Sequence, residues 1–259
     1  MKVWYQSATS IGKDPLWADY EKALTSHVQA IKRPDIDIDV RGVQNMVAGL
    51  GTYRYFSMLN TNQVIINALR AQKEGYDAIF IGCMQNPGYY EIREVVDIPV
   101  CFVCEAAVHL AAMLAPNFAF LYYSEPSMRR TTKRVQELGF ADRLVPTGNL
   151  GMTLEGVQKG FTNPEPIIKA CEKVARKPAD SGATMLISAC NCLNMVLVHA
   201  GVNELAGVPF LDSVATLVKT GEMMLELDRL GVKRSWRGDF SRPSKEELAH
   251  ALKVYQVEV

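Results

Sequence analysis

No stretch of this 259-residue chain reaches the roughly 18 consecutive apolar residues that a membrane span needs, and it contains no low-complexity tract and no run of like charges. Net charge is absent too. The 28 basic side chains balance 28 acidic ones, so no overall field draws nucleic acid or an anionic membrane to the surface. That leaves a small molecule as the expected partner. The opening Met1-Lys2-Val3-Trp4-Tyr5-Gln6 is too short and too polar for a signal peptide, which predicts a cytoplasmic location. Six cysteines in a chain of this length are too few for a disulfide scaffold. The pair Cys190 and Cys192 has no second such pair and no histidine at ligand spacing, so no metal site is expected.

What is present is an alternation of short apolar runs with amphipathic stretches. Residues 2–5 read as a strand ending in the polar turn 6–10, and Pro15 opens a helix through about residue 31. Residues 35–43 alternate acidic with apolar, as a strand near a sheet edge does, and 42–51 reads as a loop. A helix over 53–73 stops at Glu74-Gly75, and the buried strand 78–81 follows. Further on, strands are predicted at 98–103, 118–122, 143–145, near 186 and at 208–212. Helices are predicted from 105, 127, 165, 192, 213 and 244, the last opened by the capping box Ser244 to Glu247. This pattern predicts an α/β protein whose mostly parallel sheets carry helices on both faces, with ligands beyond the strand carboxyl ends.

Two segments share one design. In the first, a buried strand delivers Cys83 into a loop closed by Asn86, Pro87 and Gly88; a short strand containing Pro99 and a small-residue helix from Glu105 follow. In the second, a buried strand delivers Cys190, followed by a helix, a short strand containing Pro209 and another helix from Ser213. The repeat predicts two pseudo-symmetric lobes, 1–115 plus 210–259 and 116–209, with the active site in the cleft between them. Equivalent cysteines then face each other. A thiol titrates near 8.5, so one sulfur can remove an acidic proton from one face of a carbon while the other returns a proton to the opposite face. That is racemisation without a cofactor.

The motifs GCMQNPGYY (82–90) and ISACNCLNM (187–195) resemble the aspartate/glutamate/hydantoin racemase superfamily, and within it the hydantoin racemase branch. The resemblance spans about residues 1 to 235. It implies two α/β lobes, catalytic roles for Cys83 and Cys190, and assembly as a homo-oligomer. Departures from the branch fall around the expected pocket. Where the branch has Asn-Pro-Asn-Thr-Ser after its first strand, this chain has Gln6-Ser7-Ala8-Thr9-Ser10. Tyr122-Tyr123 stand in place of a Thr-Thr pair, and Cys192 replaces a small residue. The expected substrate contacts are Gln6, Ser7, Gln85, Asn86, Tyr122, Tyr123, Asn191 and Cys192. In a strand, Tyr122 and Tyr123 point to opposite faces, so one of them at most meets substrate. Cys101, Cys104 and Cys171 read as core.

The expected activity is racemisation or isomerisation of a small carbonyl compound: a hydantoin, an amino acid, or a related amide or carboxylate. The rivals are a same-fold enzyme using one cysteine as nucleophile, whether a maleate-type isomerase, a decarboxylase or a hydrolase, and a non-catalytic two-lobed binding protein.

Overall fold

The computed structural model describes every residue except Ala48 and Asp239. The loop expected at 42–51 is therefore seen on both sides of Ala48, which itself lies outside the described residues. Two sheets organise the chain. The first contains β1 (Lys2–Ser7), β2 (Asp37–Arg41), β3 (Ala78–Gly82) and β4 (Val100–Phe102), in the order β2-β1-β3-β4 with all neighbours parallel. The second contains β5 (Ala119–Leu121), β6 (Leu186–Ser188), β7 (Glu204–Leu205) and β8 (Val208–Leu211), in the order β5-β6-β8-β7. Only the β7–β8 pair is antiparallel.

The strand predicted at 143–145 is reduced to a single parallel bridge, Phe118 to Leu144, beside β5. It occupies the place that β2 holds beside β1. With that correspondence β6 matches β3 and β8 matches β4, so Cys83 and Cys190 follow equivalent strands. The boundary expected at 210 falls inside β8, which pairs with β6 through Leu211; the chain returns to the first sheet only with the helix that begins at Ser213.

The helices are α1 (Ala18–Ile31), α2 (Arg54–Lys73), α3 (Glu91–Val95), α4 (Val103–Leu114), α5 (Glu125–Glu137), α6 (Leu154–Gln158), α7 (Glu165–Asp180), α8 (Asn191–His199), α9 (Ser213–Arg229) and α10 (Lys245–Val254). None is long and apolar enough to cross a membrane, among the described residues. β3 is buried along its whole length, as a central parallel strand covered on both faces must be. One face of the first sheet presents Trp4, Ile79 and Ile81 to Val64 and Ala68 of α2, with Leu248 and Leu252 of α10 packed against that cluster. The opposite face presents Tyr5 and Phe80 to a core shared with the second sheet through Phe120, Leu186 and Leu211.

α9 comes close to the first sheet because Gly221 lacks a side chain. A Cβ there would stand 2.2 Å from the Phe80 ring. Asp212 caps α9 by accepting hydrogen bonds from the backbone N–H groups of Val214 and Ala215. The same carboxylate meets His27 Nε2 of α1 at 2.6 Å and accepts from Asn194 Nδ2 of α8 at 3.0 Å. One side chain thus fastens three helices below the cleft. Cys101, Cys104 and Cys171 are buried and free, as their apolar settings predicted.

Candidate active site

A cavity of about 440 Å³ opens where the carboxyl ends of β1, β3 and β6 meet. Cys83 and Cys190 both line it, each half-buried. Cys83 sits directly after β3 in a turn closed by the Asn86 N–H donating to the Cys83 carbonyl at 2.9 Å. Asn86 has a positive φ of 47°, a backbone state that asparagine tolerates better than most residues. Its Oδ1 accepts from the Cys104 N–H at the start of α4. The far side of this loop is tied to α4 through Glu105, which accepts from Tyr89 Oη at 2.6 Å and from Arg93 Nη2 at 2.5 Å.

Cys190 caps the N-terminus of α8 in an extended conformation. The backbone N–H groups of Cys192 and Leu193 belong to the first turn of this helix, whose donors lack intrahelical partners. Neighbouring groups split the two thiols electrostatically. Cys190 is held below the ordinary thiol pKa, first by a hydrogen bond from the Cys192 thiol and then by those backbone donors. Burial pushes Cys83 up to about 11, opposed only in part by the Gln85 N–H. Cys192 is driven well above the thiol range by burial and by the adjoining Cys190 sulfur, so it remains a proton donor. Of the two thiols on the cavity, Cys190 is therefore the more readily deprotonated.

Of the residues expected at the site, Ser7, Gln85, Asn86, Tyr123, Asn191 and Cys192 line the cavity with the two cysteines. Gln6 and Tyr122 do not. Gln6 is wholly buried beneath the sheet, where it accepts from Trp4 Nε1 and donates to the Ser7 carbonyl. Strand parity turns it to the face opposite Tyr5 and Ser7. Tyr122 is turned away in the same manner, and its hydroxyl meets Thr132 Oγ1 of α5 at 3.1 Å. Tyr123 takes the cavity side.

Tyr5 was not anticipated. Its hydroxyl, kept protonated by complete burial, accepts from Asn191 Nδ2 at 3.1 Å and so fixes a cavity side chain from beneath. Gly82 makes room for it, since a Cβ there would come within 2.3 Å of that hydroxyl. The signal was a glycine immediately before the first cysteine. Two polar atoms of the lining have no protein partner, the donor Asn86 Nδ2 and the acceptor Asn191 Oδ1. Both atoms are buried, in a protein where buried amide groups are rarely left unpaired. Among the described residues, no group of three or more His, Cys, Asp or Glu side chains is arranged to hold a metal ion.

Residues 18–221 match the family model for Asp/Glu/Hydantoin racemase. The chain belongs to this family. A racemase-type isomerase is thus its enzyme class. Relatives of this racemase-family chain include a hydantoin racemase from Pseudomonas sp. (strain NS671), 27% identical over 236 residues that cover 90% of this chain and 91% of that protein. Among solved structures, an allantoin racemase from Klebsiella pneumoniae superposes with a TM-score of 0.79 at 17% identity, covering 95% of this chain and 94% of that one. The allantoin racemase of Pseudomonas fluorescens gives 0.78 at 19% identity, covering 94% and 97%. These two likenesses establish the racemase fold of the chain.

Proposed function

We propose that this enzyme inverts an acidic carbon in a small cyclic ureide or related amide of the hydantoin kind, using Cys83 and Cys190 as an acid/base pair and no cofactor. The observation that carries the reading is the opposite poise of two thiols on one cavity. A two-sided proton transfer needs one sulfur ready to accept a proton and one ready to give it. Cys190, with its lowered pKa, is the readier acceptor and Cys83, raised to about 11, the readier donor, and after transfer the roles exchange, so the opposite enantiomer finds its own base.

The amide residues Gln85, Asn86 and Asn191 on the cavity lining suit a substrate that offers both a carbonyl and an N–H, as an amide or ureide does. A donor placed beside the carbonyl also stabilises the enolate formed when the proton leaves, where the main barrier lies. The names of the hydantoin and allantoin racemase relatives point the same way.

The test uses an enantiopure 5-substituted hydantoin in deuterated buffer. Loss of optical activity with deuterium uptake at the inverted carbon is expected. Cys83→Ser and Cys190→Ser are each expected to lower kcat by about 10²- to 10⁴-fold, the usual worth of a positioned acid or base. Undiminished turnover in either variant sinks the two-thiol mechanism. A stable covalent adduct on Cys190, with no exchange, points instead to nucleophilic catalysis.

A further inference from the structure

One wall of the cavity carries charge that the proton transfer does not use. Arg54, the first residue of α2, and Arg130, Lys133 and Arg134 of α5 line it, against the carboxylates of Glu91 and Glu137. Glu137 is already taken, by Arg134 at 2.8 Å and Lys133 at 3.8 Å. Among the described residues, Arg54, Arg130 and Glu91 have no ion-pair partner within 4.0 Å.

Arg130 is held in place. Its Nη1 donates to Ser57 Oγ at 2.9 Å and to the Leu50 carbonyl at 3.4 Å, and its Nη2 to the Thr52 carbonyl at 2.9 Å. These bonds fasten the start of α2, and Arg54 with it, to the same wall. Partial burial and the like charge of Arg54 together press the Arg130 guanidinium below its usual range. Holding two like charges together is unfavourable, and an anion between them offsets the cost.

We infer that Arg54 and Arg130 form a subsite for a carboxylate on the substrate's side chain, so that the preferred substrates are hydantoin-type rings with an acidic substituent. The substrate class rests on the proposed racemisation; the anion subsite itself does not. Guanidinium groups suit a planar carboxylate because their forked donors match its two oxygens. The ring would then lie toward Cys83 and Cys190, with its substituent directed to α2 and α5.

Two measurements test this. Alkylation of Cys190 by iodoacetate and by iodoacetamide, followed by mass spectrometry, reports the local field without any turnover. Relative to 2-mercaptoethanol, the iodoacetate-to-iodoacetamide rate ratio should be raised, and Arg54→Gln should lower it roughly three- to tenfold, the range expected for losing one partly exposed charged contact. High salt should lower it as well. A ratio equal to that of the free thiol and unmoved by Arg54→Gln overturns the subsite. The second measurement compares kcat/KM for 5-(2-carboxyethyl)hydantoin with that for its carboxamide. Preference for the acid, reduced in Arg54→Gln, supports the inference; preference for the amide overturns it. If neither ring exchanges while the alkylation ratio behaves as expected, the hydantoin reading fails and the anion subsite stands.

Discussion

Cys192 adjoins Cys190 on the cavity, and at the level of single residues it tunes that sulfur. Its thiol donates to the Cys190 sulfur and is itself kept protonated by burial. Cys192→Ala removes the donor, so the Cys190 pKa should rise. The sign follows: less thiolate at neutral pH, slower alkylation and slower turnover, both recovering as pH increases. The pH profile of iodoacetamide modification of Cys190 checks this, and a profile unchanged in the variant contradicts it. In the parent enzyme, kcat/KM should rise through a pKa below the ordinary thiol value and fall near 11, where Cys83 loses its proton. Tyr5 acts one step further out, by orienting Asn191 from beneath. The two cysteines were legible from their strand ends. The placement of Gln6 and Tyr122 was not, because a strand buried on both faces shows no polar alternation from which to read which side meets the cavity.

Among the elements, α9 brings the chain back to the first sheet after the second is complete, and two contacts decide how closely it packs. Gly221 lies against the Phe80 ring with no space for a methyl group. Gly221→Ala should therefore cost about 1–3 kcal/mol through overpacking, despite alanine's better helix propensity; urea denaturation measures it, and a stabilised variant contradicts the packing. Asp212 is the second contact. Against the burial that would raise its pKa, hydrogen bonds from His27 and Asn194 keep it below the usual carboxylate range. A depressed folded-state pKa contributes stability above the unfolded value near 3.9, and that contribution is lost as pH falls through the folded value. Asp212→Asn should accordingly destabilise the protein at neutral pH by about 1–3 kcal/mol, and the deficit should shrink on acidification below about pH 4. Helix positions were readable from periodicity and caps, down to the box at Ser244 and Glu247. The strand expected at 143–145 formed only a bridge, since its pairing depends on β5 and not on local sequence.

The two sheets share one apolar core that runs from Tyr5 and Phe80 to Phe120, Leu186 and Leu211. With a common core they should unfold together. Thermal melts followed by tryptophan fluorescence, dominated by the buried Trp4 and Trp17 of the first sheet's surroundings, and by far-ultraviolet circular dichroism should therefore coincide; separate midpoints would mean that the lobes are independent.

Local patterns determined the α/β class, the internal repeat and the two strand-end cysteines, because each depends on residues close together in the chain. Tertiary structure alone decided the rest of the cavity: Tyr123 rather than Tyr122, Tyr5 beneath Asn191, and Arg54 beside Arg130. Those neighbours come from elements far apart in sequence, and only the packing of α2 and α5 about the strand ends brings them to one wall. Cys83 and Cys190 stood out as a pair, but the opposite shifts of their pKa values arise from burial, which dominates at Cys83, and from donors, which dominate at Cys190.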